Sequence, residues 1–161
     1  QGDDVPRTNI TWYEATAFCR WLSAQLADDT TILLPTEQQW QRAAQGDDGR
    51  EYPWGNDFES RYCNVKGSGV RRVSPVYAYE EYPSPYGVVG MSGNIWEWTA
   101  STWETGSLIE GDESSVVRGG AFNAMPGYAR CAYRHSGDLD DPMTSRGFRV
   151  VTLRLNSDSA S

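Results

Sequence analysis

The chain has 161 residues, of which 14 are Lys or Arg and 22 are Asp or Glu, so its formal net charge at pH 7 is −8. This length suits one domain with its own hydrophobic core. The acidic balance argues against nucleic acid as the main partner, because phosphate binding needs clustered positive charge. No apolar run approaches the roughly 18 residues of a membrane-spanning helix, so no membrane span is expected.

The first helix is predicted close to the beginning of the chain. Thr11 and Glu14 have the spacing of a capping box, and apolar residues then recur at helical steps. This pattern predicts an amphipathic helix over about residues 12–27. The expected organisation is a polar tail or truncated start at residues 1–10, the domain at residues 11–155 and a frayed polar tail at residues 156–161.

The rest of the chain contains one more helix and then irregular structure. A strand is expected at residues 31–34, and Thr36 with Gln39 starts a second helix that ends at Gly46. Beyond Gly46 the helical period disappears, and turn-forming residues occur every few positions. Further short strands are predicted at residues 76–79, 95–99, 116–118, 130–134 and 148–155. Helices followed by strands indicate an α+β domain.

The chain has few lysines, cysteines and histidines. Lys66 is the only lysine, and the other basic residues are arginines, whose planar guanidinium favours fixed pairing with carboxylates. The three cysteines are widely spaced without a CxxC motif, which predicts buried free thiols. His135 is the one histidine, and without a paired base it is expected to be a surface or hydrogen-bonding residue.

Six short strings occur in a characteristic order. They are TWYEA at 11–15, LPTE at 34–37, YPWGN at 52–56, GNIWEWT at 93–99, RGG at 118–120 and GFR at 147–149. Together they resemble the formylglycine-generating enzyme family, whose domains adopt a loop-rich variant of the C-type lectin fold. The resemblance covers about residues 12–151. The family's domain usually begins well before the helix that starts here at Trp12. The resemblance therefore implies that the usual N-terminal strand and helix are missing, and that the chain is either a fragment or a compact version of the domain.

The resemblance also implies what a catalytic member would need. The copper-dependent enzymes carry two cysteines in the loop after Arg-Gly-Gly, and thiolates suit Cu(I). Here that loop, residues 121–129, contains no cysteine, and Met125 offers only an isolated thioether. Cys131 lies beyond the loop on a predicted strand, on the same face as Tyr133, at a position that looks structural. The pattern therefore disfavours a copper oxidase.

A second enzymatic branch that the chain resembles is the iron-dependent sulfoxide synthases of ergothioneine biosynthesis. Those enzymes join such a domain to a helical domain that supplies several histidines to iron. An iron site of this kind needs at least two His and a carboxylate, and this chain has one His. The chain could be only the C-terminal half of such an enzyme, and the non-enzymatic interpretation is preferred.

Two structural calcium sites are implied by the family motifs. The first would use Gly93, Ile95 and Glu97, and the second Asn64 and Val65, since calcium prefers carbonyl and carboxylate oxygens. A side-chain oxygen is missing at Gly90, and the loop after Val65 supplies no carboxylate. The alternative is that Glu97 and Asn64 satisfy buried backbone groups. Trp96 and Trp98 are expected to be core rings rather than a sugar-binding platform.

A third, non-catalytic branch that the chain resembles is the variable proteins of diversity-generating retroelements. Their ligand-binding segment runs from Arg-Gly-Gly to Gly-Phe-Arg, as Arg118 to Arg149 does here. Between these ends an unpatterned mixture of residue types is typical of adaptable contact surfaces. The candidate ligand-binding residues are Asn123, Met125, Tyr128, Tyr133, His135, Ser136, Asp141, Met143, Thr144, Ser145 and Arg146.

The sequence therefore predicts a non-catalytic module that binds a protein ligand through the segment between Arg118 and Arg149. The alternative for that segment is an ordinary loop of an enzyme-like domain that has lost its activity. Calcium is the only cofactor expected, in a structural role.

Overall fold

The computed structural model describes residues 4–26 and 29–154. Two helices flank the first strand: α1 (Trp12–Gln25), β1 (Thr30–Leu33) and α2 (Glu37–Gln45). A long stretch of turns follows. The remaining elements are β2 (Trp96–Thr102), β3 (Ser115–Arg118), a 3-10 helix (Pro126–Ala129), β4 (His135–Gly137), β5 (Arg146–Phe148) and β6 (Val151–Arg154). Helices followed by short strands confirm the predicted α+β class.

Both helices begin at the predicted capping boxes. The Thr11 hydroxyl accepts a hydrogen bond from Glu14 N at 3.1 Å, and the Glu14 carboxylate accepts one from Thr11 N at 2.7 Å. Thr36 and Gln39 repeat this exchange at the start of α2. Each box satisfies backbone donors that a helix leaves unpaired at its first turn. Local sequence is thus sufficient to position both helix starts.

The strands form two small sheets. In the larger sheet the strand order is β4-β3-β2-β5, with β3 antiparallel to both of its neighbours and β5 parallel to β2. In the smaller sheet β1 pairs antiparallel with β6, so Thr30 lies opposite Arg154. This second sheet places the last described strand, β6, next to β1, the strand that directly follows α1.

Two predicted strands are wrong. Residues 76–79 form successive turns in which, for example, Ala78 N donates to Pro75 O, so local bonds replace a strand ladder. Residues 130–134 are also not a strand, because their carbonyl groups are bound by the Arg118 side chain rather than by a neighbouring strand. The strand begins later, at His135. Cys131 and Tyr133 therefore do not share a strand face.

Other predicted boundaries shift by a few residues. Helix α1 ends at Gln25, and the predicted end at Ala27 lies outside the described residues. The run predicted at residues 148–155 divides into β5 and β6, and its last residue also lies outside the described part. The predicted tail at residues 156–161 is likewise not described.

The core is built around tryptophan side chains. Trp98 on β2 is fully buried, and its indole N–H donates to Ile10 O at 3.1 Å. Trp96 on the same strand is 6% exposed and packs in the same cluster, so both rings are core residues as predicted. Residues 4–10 are bonded to this body, as Val76 N donates to Asp4 O at 2.7 Å. Within residues 4–26 and 29–154, no helix has the length and apolarity needed to cross a bilayer.

Candidate ligand-binding surface and its framework

The segment between Arg118 and Arg149 is fixed at its start by a fully buried arginine. The Arg118 guanidinium donates to three successive carbonyl oxygens, those of residues 131, 132 and 133, at 2.7, 3.1 and 2.9 Å. It also donates to Gln41 Oε1 at 2.8 Å. Burial lowers the pKa of Arg118 to about 10, so the side chain stays protonated at neutral pH. Arg118 therefore clamps the backbone that carries Tyr133.

The counter-ion of this clamp is Glu37, the first residue of α2, which is 6% exposed. Its Oε1 atom accepts from Arg118 Nη1 at 3.3 Å and from Arg134 Nε at 2.5 Å. Arg134 also lies over the Trp103 ring at 4.8 Å and donates to the Trp103 carbonyl. One buried carboxylate thus holds two arginines of the segment, and charge-assisted bonds of this kind are the strong ones.

A second buried ion pair holds the other end of the segment. Arg149 donates from Nε and Nη2 to the two carboxylate oxygens of Glu97, at 2.5 and 2.8 Å. Trp40 Nε1 donates to Glu97 Oε2 at 2.6 Å, and the Trp40 ring also lies 5.3 Å from the Arg118 guanidinium. Trp40 therefore connects the two ion pairs. The predicted use of arginines in built-in ion pairs is confirmed.

The predicted calcium residues are already engaged by protein groups. Both oxygens of Glu97 are bonded to Arg149, so a cation there would have to displace a guanidinium. Asn64 is fully buried; its carbonyl accepts from Asn94 N, and the Val65 carbonyl accepts from Ser68 N. The Gly93 carbonyl accepts from Ile95 N. These groups do not fit calcium as they stand, because they offer no free carboxylate. Calcium binding at these residues stays a prediction from the sequence.

Three candidate residues form an exposed aromatic cluster on the buried Trp96. Tyr128 and Tyr133 stack with ring centroids 4.7 Å apart, and His135 lies 5.3 Å from the Trp96 ring. Both tyrosine rings are about 6 Å from Trp96, at 6.3 and 6.2 Å. Tyr128 is 41% exposed, and His135 is exposed as well. Trp96 thus joins the core to a ring surface open to solvent.

The 3-10 helix that carries Tyr128 packs closely on the Arg-Gly-Gly turn. Gly120 has φ +75°, and a Cβ atom there would lie 3.0 Å from the Tyr128 carbonyl group. Ser92 Oγ donates to Ala129 O at 2.8 Å and secures the other end of the 3-10 helix. The backbone below the aromatic cluster is therefore fixed by glycine and by buried hydrogen bonds.

A fourth arginine, Arg146, lies close to His135 of the aromatic cluster. Arg146 is 4% exposed, lies 4.5 Å from the Trp98 ring, and donates to Asp141 O and Met143 Sδ. Burial, and then the Arg146 charge, lower the pKa of His135, so its imidazole is neutral at pH 7. His135 therefore adds no positive charge to the aromatic cluster at pH 7.

The structure separates the eleven candidate residues into two groups. Nine side chains are exposed or half-buried: Asn123, Met125, Tyr128, Tyr133, His135, Ser136, Asp141, Met143 and Thr144. Ser145 and Arg146 are 1% and 4% exposed, because Ser145 O accepts from Trp96 N and Arg146 packs on Trp98. These two hold the backbone and present no side chain to solvent. The nine others are called the display surface below.

The cysteines are buried free thiols, as predicted. Burial raises the pKa of Cys63 and of Cys131 to about 12, and it also raises that of Cys19. The thiolate is the form that binds metals or attacks a substrate, so these three thiols are not activated. Across residues 4–26 and 29–154, no three His, Cys, Asp or Glu side chains are grouped as a metal site.

Sequence reasoning missed the partners of the arginines. The sequence pattern gives Glu37 only as part of the LPTE string and gives Trp40 no role, although both contact the ion pairs that hold the segment. An acidic residue at the first position of a helix is explained by the helix dipole alone, so it gives no sign of a buried partner 81 residues away.

Known structures show the same fold. Treponema denticola variable protein 1 superimposes with a TM-score of 0.78 at 22% identity, over 94% of this chain and 72% of that protein. Two helices and small irregular sheets joined by long loops define an α+β domain of the C-type lectin type. Residues 1–153 match the sequence profile of the sulfatase-modifying factor enzyme 1-like domain. The chain belongs to this family.

The curated relatives differ in activity. The inactive C-alpha-formylglycine-generating enzyme 2 of Mus musculus is 32% identical over 92% of this chain and 49% of its own length. Hercynine oxygenase of Mycolicibacterium smegmatis is 32% identical over 93% of this chain and 37% of its own length. The chain thus spans half or less of these relatives. Because they include an inactive protein and an enzyme, family membership alone assigns no activity.

Proposed function

We propose that this domain is a non-catalytic binding module that recognises a protein ligand through the display surface. The observation that carries the proposal is the exposed aromatic cluster of Tyr128, Tyr133 and His135 on a backbone clamped by Arg118. Tyrosine supplies a large contact area with few rotatable bonds, so it loses little entropy on binding. A fixed backbone reduces the ordering cost further.

The composition of the surface supports a protein partner. The display surface also contains the polar Asn123 and Ser136 and the flexible Met125, which is 54% exposed. Rigid aromatic anchors with small polar neighbours are typical of antibody-like contact surfaces. The structural similarity to a variable protein favours the finer hypothesis that the segment between Arg118 and Arg149 is diversified by a retroelement. A near-identical repeat of its coding sequence with adenine-linked differences in the neighbouring genome would support this hypothesis.

An affinity capture with matched variants tests the binding function. The immobilised chain is compared with the triple variant Tyr128→Ser, Tyr133→Ser, His135→Ser, using lysate of the source cells and mass spectrometry. A control variant, Trp21→Ser with Tyr77→Ser, removes rings that are 56% and 68% exposed elsewhere. The ligand is expected on the wild type and the control, with at least a hundredfold loss on the triple variant, since anchors contribute 2 kcal/mol or more each, about 30-fold. Equal capture by the triple variant would refute the assignment.

The enzymatic alternative is weakened by the state of the thiols. Copper oxidation of a cysteine peptide needs two accessible thiolates, whereas the loop at residues 121–129 has no cysteine and Cys131 is fully buried with a raised pKa. A titration with Cu(I) in competition with a chromogenic chelator is therefore expected to show no stoichiometric binding. Tight binding of one copper per chain, with oxidation of a cysteine-containing peptide, would overturn the non-enzymatic proposal.

A further inference from the structure

A glycine-rich loop beside the display surface carries an unusual cluster of positive charge. Residues 60–79 contain Arg61, Lys66, Arg71 and Arg72 but no acidic residue, although the whole chain has 22. Eight arginines of the protein each pair with a carboxylate. In contrast, no carboxylate of the described residues lies within ion-pair distance of Lys66, Arg71 or Arg72. Three cations within seven residues, with no carboxylate beside them in the described part of the chain, repel one another.

These charges border a cavity. Lys66, Gly67, Gly69 and Arg71 line one side of a space of about 520 Å³, and Phe122 with Asn123 lines the other. This volume is in the range of small-molecule binding sites, which combine apolar walls with a few placed polar groups. The N–H groups of Gly67 and Gly69 have no hydrogen-bond partner among the residues the structure describes, and both glycines have positive φ, +100° and +92°. They add neutral donors to the two cations.

The loop is held in place from both ends. At its start Lys66 N donates to Ala124 O at 2.9 Å, which fixes the loop against the opposite wall. At its end the fully buried Asn64 donates from Nδ2 to Arg72 O at 2.7 Å and to Ser74 Oγ at 2.8 Å. A preformed site binds with a smaller loss of conformational entropy than a loop that must become ordered.

Arg71 is held in a strained backbone conformation. Its φ is +57°, a region that residues with a side chain adopt at a cost of about 1 kcal/mol or more. Its guanidinium has no ion pair and no hydrogen bond among the described residues, so the contacts of that side chain do not explain the strain. Strained residues are enriched where a side chain must be aimed at a ligand.

We propose that this cavity binds an organic anion, with its carboxylate or phosphate group at Lys66 and Arg71 and its apolar body against Phe122. The guanidinium and ammonium groups supply charge-assisted hydrogen bonds, and the glycine N–H groups complete the contacts to the anion oxygens. The site shares Asn123 with the display surface, but it stands on its own residues and does not require a protein ligand.

The test titrates the whole ¹⁵N-labelled chain with benzoate, phenyl phosphate and the uncharged benzamide at constant ionic strength. Amide signals of Gly67, Gly69 and Asn123 are expected to shift saturably with at least one of the two anions and not with benzamide. Tighter binding of benzoate identifies a carboxylate ligand, and tighter binding of phenyl phosphate identifies a phosphate. No saturable shift with either anion, or equal binding of benzamide, overturns the proposal.

Substitutions at Lys66 and Arg71 distinguish the effect of their charge on anion binding from the effect of the loop conformation. Lys66→Gln and Arg71→Gln are each expected to weaken anion binding about tenfold or more, as a charged hydrogen-bond partner is lost. Arg71→Gly relieves the backbone strain and must weaken binding as much as Arg71→Gln. Arg20→Gln removes an exposed charge of α1 that pairs with no carboxylate of residues 4–26 and 29–154, and it serves as the matched control with unchanged affinity. Full affinity in the Lys66 and Arg71 variants contradicts the assignment.

Discussion

The ends and the middle of the segment between Arg118 and Arg149 are held in opposite ways. At the ends, Arg118 is fully buried and paired with Glu37, and Arg149 is paired with Glu97. In the middle, Tyr128 is 41% exposed, and Met125 is 54% exposed. One continuous stretch of chain therefore contains both a rigid framework and a surface with few constraints.

This difference separates stability from recognition. Side chains at the ends are paired inside the protein, so their removal leaves uncompensated charge. Side chains in the middle lie over backbone that the ends already hold, because Arg118 binds the carbonyl groups of residues 131–133 directly. The identity of the nine display-surface side chains can therefore change without loss of the fold, as a recognition surface requires, whereas the paired Arg134 and the buried Arg146 belong to the framework.

The largest expected effect is at the buried clamp. Arg118→Met removes one of the two cations paired with the buried Glu37 and leaves three carbonyl groups without their partner, which is expected to lower the free energy of unfolding by about 3–5 kcal/mol. Urea unfolding followed by tryptophan fluorescence measures it. The matched control is Arg130→Gln, which breaks an exposed pair with Glu51 and should leave the midpoint nearly unchanged. Equal midpoints for the two variants would contradict the buried clamp.

The second ion pair should be less sensitive. Glu97→Gln keeps an acceptor for Trp40 but loses the charge that holds Arg149, whose side chain is 24% exposed and can regain water contacts. We expect a loss of about 2 kcal/mol, from weaker hydrogen bonds to a charged group. The same urea experiment tests whether Glu97→Gln destabilises the protein less than Arg118→Met. A larger loss than for Arg118→Met would mean that the second end, not the first, dominates the framework.

Replacement of the exposed rings should affect stability less than either ion pair. Each of Tyr128→Ser, Tyr133→Ser and His135→Ser is expected to lower the free energy of unfolding by at most about 1 kcal/mol, as the rings remain partly in solvent. Differential scanning calorimetry of the single variants measures these losses. If any one of them destabilised the protein as much as Arg118→Met, that ring would be structural, and the middle of the segment would not differ from its ends.

The smallest expected effect is a pH dependence from His135. Its pKa in the folded protein is lowered, so the unfolded chain binds more protons between that value and the ordinary pKa of about 6.5. Its contribution to stability is therefore complete above that ordinary value and is lost as the pH falls through the folded value. His135→Gln should flatten the decrease in melting temperature between pH 7.5 and 5. An unchanged pH profile would remove His135 from the titrating groups.

The sequence was sufficient for features that depend on near neighbours. Thr11 with Glu14 and Thr36 with Gln39 placed both helix starts, because capping boxes are local. Ordered motifs over most of the chain were also sufficient for the fold class. The α+β architecture could thus be predicted before any contact between distant residues was known.

Features that depend on distant partners could not be predicted in the same way. The strand expected at residues 130–134 failed because Arg118 occupies its carbonyl groups, a contact with no signal in local periodicity. Ser145 and Arg146 look like surface residues in the sequence because no period marks them. In the fold, the Ser145 carbonyl accepts a hydrogen bond from Trp96 N, Arg146 packs on the Trp98 ring, and both side chains are buried. The basic loop was recognised only as lacking calcium ligands, since its cavity needs Phe122 from another part of the chain.

The most direct test of the difference between the framework and the display surface is a scan of all single substitutions. Each variant is displayed on the surface of a cell and selected for folding by its resistance to protease. We expect most substitutions at the nine positions of the display surface to survive, and almost none at Glu37, Trp40 or Arg118. Proteolysis reports the unfolded population when opening is fast, so losses of 3 kcal/mol are readily detected. Equal intolerance at the nine exposed positions would contradict the separation of recognition from stability.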